Sequence, residues 1–100
     1  MKYKKLVRKY RRIFRKHARE LRPYDYRFGL DPFLDFLRYM RDYYEAGDNV
    51  HSEEGDRLQT IKDAISMFEV YDDEEFKLKK QEAWEAFWRI VQENIREWWD

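Results

Sequence analysis

The chain of 100 residues has no cysteine, three glycines and two prolines, and each shortage excludes something. Without cysteine there is no disulfide, no thiolate nucleophile and no zinc–thiolate site. So few glycines and prolines leave few places to turn, and the stretches between them are rich in helix formers, which predicts an all-α protein with short connections. His17 and His51 are the only imidazoles. No His-Glu-x-x-His run, Glu-x-x-His pair, nucleophile elbow or glycine-rich phosphate loop is present. The expectation is a protein that is not an enzyme and has no metal site and no cofactor. His17 lies on an apolar stripe and reads as a packed side chain rather than a base, and His51 as a loop or capping residue. No apolar run approaches the roughly 18 residues that would span a membrane, and the N-terminus has no apolar signal core. With no serine before Ser52, it does not read as a transit peptide either, and a soluble, cytoplasmic protein is expected.

What the sequence does have is charge, at 42%, together with 19% aromatic residues. That aromatic content exceeds what a disordered charged chain carries, so the protein is expected to fold. Its zero net charge hides an asymmetry. Between Met1 and Arg22 stand eleven basic side chains against the single acid Glu20, a segment charge of +10, and the remainder carries −10. Such a block needs a counter-charge, supplied either by the acidic remainder of the same protein or by an anionic partner.

The apolar period organises 1–100 as a single helical domain of four helices, bundle-like and oligomeric. In the first, within 1–22, Tyr3, Leu6, Val7, Tyr10, Ile13, Phe14, His17, Ala18 and Leu21 form one stripe opposite a Lys/Arg face, and Pro23 ends it. Residues 31–100 supply three more. Asp31 as N-cap with Pro32 at the first helical position predicts the start of the second helix, and Gly47 its end. Ser52 opens a third, with Leu58, Ile61, Ala64, Ile65, Phe68 and Tyr71 as its buried stripe. The acidic run Asp72 to Glu75 is read as the capped start of a fourth, which buries Phe76, Ala83, Trp84, Phe87, Trp88, Val91, Ile95 and Trp98 over about 25 residues, or roughly 38 Å. Trp98 and Trp99 are neighbours and point about 100° apart, so one of them needs a second surface, a subunit contact or a ligand.

From Phe33 onward the order of parts resembles a known group. A Phe-Leu-rich helix closing on Met-x-x-Tyr-Tyr (Phe33 to Tyr44) precedes a Gly-x-x-Val-His loop (Gly47 to His51). A helix with Ile61, Ala64 and Ile65 follows, then Val70-Tyr71-Asp72-Asp73, and the chain closes on Trp98-Trp99-Asp100. This arrangement is similar to that of small, mostly uncharacterised helical proteins of bacteriophages that end in Trp-Trp-Asp. The resemblance implies an accessory role against host defence in the infected cell, by sequestering a nucleotide signal in a basic oligomeric pocket or by blocking a defence protein.

The leading expectation is a homo-oligomer that binds a small anionic nucleotide signal. Arg8, Arg12 and Arg15, at steps of four and three on one helix face, hold phosphate, while Trp98, Trp99 or Tyr71 stacks on the base. One alternative is an inhibitor, such as an anti-CRISPR, whose basic helix docks on a host defence complex. Another is a nucleic-acid-binding accessory protein, disfavoured because the −10 remainder repels a long duplex.

Overall fold

Leu, Ile and aromatic side chains recurring every three or four residues wind the chain into α-helices. The computed structural model describes residues 2–20, 26–46, 52–73 and 79–98, and among them are four helices and no strand. They are α1 (Lys2–Arg19), α2 (Arg27–Ala46), α3 (Ser52–Asp72) and α4 (Lys80–Trp98). The fold is all-α. Pro23, the turn at Gly47, His51, Phe76 and Trp99 lie outside the described residues. No described helix is long and apolar enough to cross a membrane.

The chain divides into two compact units, Met1–Asn49 and Val50–Asp100, each a helical hairpin. In the first, Tyr3 meets Tyr43, Tyr10 meets Tyr39 and Phe14 meets Phe36. Numbers rising on α1 against numbers falling on α2 make the pair antiparallel. In the second, Ile61, Ala64, Ile65 and Phe68 of α3 and Ala83, Phe87, Val91 and Trp98 of α4 are buried. Phe68 lies 5.5 Å from Phe87, and Tyr71 lies 4.8 Å from Trp84.

Two boundaries differ from the sequence reading. The second helix starts at Arg27, not at the Asp31-Pro32 cap, and Pro32 lies inside it. The Tyr26 carbonyl accepts from the N–H groups of Gly29 and Leu30, and Arg27 pairs with Asp31 at 3.0 Å across one turn. The added turn brings Leu30 onto a buried stripe with Leu34 and Leu37. Burying a leucine contributes about 1.5–3 kcal/mol, which together with the hydrogen bonds and ion pair of the added turn works against a penalty of roughly 3 kcal/mol or more for proline inside a helix. The acidic run is the second correction. Asp72 closes α3, while α4 begins at Lys80 and has 19 residues rather than about 25. Acids are unfavourable at a helix C-terminus by only about 0.3–1 kcal/mol, and continuing α3 to Tyr71 gains its ring contacts with Phe68 and Trp84.

Candidate functional site

The stripe of α1 that faces α2 carries polar groups as well as rings. Tyr10 is buried, stacks on Tyr39 at 4.6 Å and donates its hydroxyl to Asp42 Oδ2 at 2.6 Å. Arg41 Nε donates to the other oxygen of Asp42 at 3.0 Å, and Lys9 Nζ lies 3.7 Å away. Burial opposes charge on Asp42, but the hydrogen bonds from Tyr10 and Arg41 and the nearby cations outweigh it, holding the carboxyl below its ordinary range. Burial, and then donation to Asp42, push the Tyr10 hydroxyl well above its ordinary value. Burial also opposes the Arg41 charge, yet the Asp42 carboxylate raises that guanidinium on balance.

Two turns away along α2, the arrangement recurs. His17 Nε2 lies 2.6 Å from Asp35 Oδ2, and Arg38 donates to Asp35 Oδ1 at 3.0 Å. His17 is half-buried, as its place on the stripe predicts, and the structure adds its pairing with Asp35. Asp35 and Asp42, the two carboxylates that α2 turns toward α1, are therefore both engaged in the seam.

Beyond the seam, α1 has a different character. Lys4, Lys5, Arg8, Arg11, Arg12, Arg15, Lys16 and Arg19 are all exposed, and among the described residues of this hairpin none has an ion-pair partner. Arg8, Arg12 and Arg15 share one exposed face of α1, as their spacing predicts. Between that face and α2 runs an open groove of about 500 Å³, lined by Val7, Tyr10, Arg11, Phe14, Arg15, Ala18, Phe36 and Tyr39. Phe36 is 46% exposed and Val7 36%.

The aromatic half of the expected site is placed differently. Trp98 is 2% exposed and donates its Nε1–H to Thr60 Oγ1 at 2.8 Å, so its ring belongs to the core of the second hairpin and has no face open for stacking. Its burial agrees with its place on the apolar stripe of the fourth helix and removes it as the stacking ring. Tyr71 is half-buried against Trp84 and Phe68, with Lys80 Nζ 6.0 Å from its ring. Trp99 lies outside the described residues. The structure thus brings together Arg8, Arg12 and Arg15, but places Tyr71 and Trp98 in the packing of the other hairpin.

The rings beside the basic face are Phe14, which its spacing put on the apolar stripe of the first helix, and Phe36 and Tyr39 of α2. The signal was an excess: six aromatic residues, Tyr3, Tyr10, Phe14, Phe36, Tyr39 and Tyr43, on a two-helix seam too narrow to hide them all. Among the described residues, no three His, Asp or Glu side chains converge to hold a metal ion. Comparison of the chain with protein-family models, curated proteins and solved structures yields no match.

Proposed function

We propose that this is a non-enzymatic binding protein that captures an anionic partner on the basic face of α1, the partner being an acidic surface of a host defence protein. One observation carries the reading: eight exposed cations on α1 have no ion-pair partner among the described residues of their own hairpin, whose two seam carboxylates are already engaged. Like charges one turn apart destabilise a helix by about 0.2–0.5 kcal/mol per pair, so the first hairpin by itself gains nothing from keeping them. The resemblance of Phe33 to Asp100 to phage accessory proteins supports a host target in the infected cell.

A protein partner fits better than a sequestered nucleotide because Arg8 and Arg12 lie on the open face of α1, outside the groove that Arg15 lines, whereas small ligands are held in concave sites that cover most of their surface. One observation favours the nucleotide as a second reading. Arg15 lies beside Phe14 and Phe36 in the groove, a guanidinium next to rings of the kind a phosphate and a base would use. Trp88, exposed on α4, supports self-association as part of either reading.

Calorimetric titration with a polyglutamate peptide, a cyclic dinucleotide and a DNA duplex at one salt concentration separates these partners. The polyglutamate is expected to bind the wild type, and the Arg8→Gln/Arg12→Gln/Arg15→Gln protein more weakly by tens of fold or more, since even one charge-assisted hydrogen bond contributes about 1.5–3 kcal/mol. A dinucleotide that binds more tightly than the acidic peptide moves the conclusion to the second reading. Undiminished binding in a folded triple variant removes the basic face from the site.

A further inference from the structure

We propose that the groove between α1 and α2 is the seat of a single acidic amphipathic helix from the partner protein, a statement that rests on the reading of α1 as the anion-capturing face. Two antiparallel helices bury one another along one line and leave a furrow on the open side, and the shape that fills such a furrow by ridges and grooves is a third helix. A helix also brings its backbone polar groups already satisfied, which an extended segment on an apolar floor would not. From Val7 to Ala18 the groove runs along α1 for roughly 16 Å, the length of three helical turns.

The floor is apolar, formed by Val7, Phe14, Ala18, Phe36 and Tyr39, and calls for leucine-like or aromatic side chains one turn apart on the incoming helix. Its rim on the α1 side is cationic. At about 100° per residue, Arg11, Lys4, Arg15 and Arg8 succeed one another around α1 away from the floor. All four are exposed and have no ion-pair partner among the described residues of the hairpin. Carboxylates flanking the apolar stripe of the incoming helix would meet them, Arg11 and Arg15 first because they line the groove itself.

Charge decides against the same groove of a second copy as occupant. Met1–Asn49 carries fourteen Lys and Arg against seven Asp and Glu, so face-to-face pairing of two such hairpins would bring two like net charges together. A nucleic-acid duplex would meet the cations but leave the rings uncovered.

Fluorescence anisotropy with three labelled peptides of about three turns tests the seat: leucines on one helical face and glutamate elsewhere, the same composition scrambled, and glutamate alone. The amphipathic peptide is expected to bind at least about tenfold more tightly than the scrambled one, and to lose about tenfold with Phe36→Ala, since buried aromatic anchors dominate such contacts. Phe36→Ala is expected to leave polyglutamate binding unchanged. Val7→Gln, at a second exposed floor position, should repeat the loss, with circular dichroism confirming that both variants fold. Arg11→Gln/Arg15→Gln should weaken all three peptides.

Equal affinity for the amphipathic and scrambled peptides overturns the groove while leaving capture by α1 intact. Amphipathic binding that ignores Arg11→Gln/Arg15→Gln overturns the acidic character of the occupant. A protein that sediments as a dimer when alone, and as a monomer with Phe36→Ala, gives the groove to a second copy and overturns the proposal. Failure of polyglutamate itself to bind overturns the reading on which the proposal rests.

Discussion

The two hairpins are nearly equal in length and opposite in charge: fourteen basic and seven acidic residues in Met1–Asn49, and seven basic and fourteen acidic in Val50–Asp100. They also differ in how they hold together. In the second, the buried residues of both helices are apolar, and the indole N–H of Trp98 ends on Thr60. In the first, the seam of α1 and α2 depends on Asp42 and Asp35, each bridged from α1 by Tyr10 or His17 and from α2 by an arginine. Large apolar side chains remain exposed mostly in the first, at Tyr3, Val7, Tyr26, Phe36 and Tyr43, against Trp88 among the described residues of the second. A hairpin that leaves rings and cations uncovered has surface to give to a partner, while one that spends its apolar residues on a core gives stability.

The comparison breaks most visibly in the dry hairpin. Ile65, 3% exposed at the centre of α3, has no partner for a charge, and Ile65→Asp is expected to cost at least about 3–5 kcal/mol, the range for an uncompensated buried charge. Chemical denaturation followed by circular dichroism reads the loss. A variant as stable as the wild type would mean that α3 and α4 do not share this core.

The polar seam of the first hairpin has a different weakness, namely pH. Because the folded Asp42 carboxyl sits below its usual range, its contribution is present above the unfolded value of about 3.9 and fades as pH falls through the lower folded value. Tyr10 is displaced upward, so its contribution is whole below the unfolded value of about 10 and fades as pH rises beyond it. Tyr10→Phe is expected to cost about 1.5–3 kcal/mol at neutral pH, as for a hydrogen bond to a charged acceptor. It should also abolish the alkaline limb and blunt the acid one, because Asp42 loses a donor. Melting temperatures across pH 3 to 11 check both limbs, and an unchanged alkaline limb in Tyr10→Phe would place the sensitive group elsewhere.

The smallest expected effect sharpens the helix boundary. Gly29 lies in the first turn of α2, and a Cβ there meets nothing within 4 Å. Gly29→Ala is therefore expected to add about 0.5–1 kcal/mol, measurable as a rise of a few degrees in the melting temperature. A destabilising alanine would return the start of the helix to Asp31.

How much of this the sequence carried depends on whether a feature is local or long-range. Helix identity was legible because the 3.6-residue period is local, and Ile61, Ala64, Ile65, Phe68, Phe87 and Val91 all fall on the buried faces it indicated. The starts of α2 and α4 were not. At Asp31-Pro32 a strong local cap competed with burial of Leu30, and at Asp72 a favourable first turn competed with the contact of Tyr71 with Trp84; in each case packing outweighed the local signal. In the candidate site, the shared face of Arg8, Arg12 and Arg15 follows from spacing alone. The groove does not, because it depends on which residues of α2 lie beside α1, and that register is fixed by pairs such as Tyr10 with Asp42, 32 positions apart. Burial of Trp98 was legible from the same period, but its partner Thr60, 38 positions back, was not, and that long-range contact removes it as a stacking ring.

The central claim is that the cations of α1 are not spent on holding the protein together, and the most direct measurement is the melting temperature of Arg8→Gln/Arg12→Gln/Arg15→Gln beside that of the wild type at low salt. Removing three like charges from one face relieves repulsion of about 0.2–0.5 kcal/mol per adjacent pair, so a melting temperature equal to or a few degrees above the wild type is expected. A clear fall would mean that these arginines are neutralised by acids of the protein itself, and would contradict the claim.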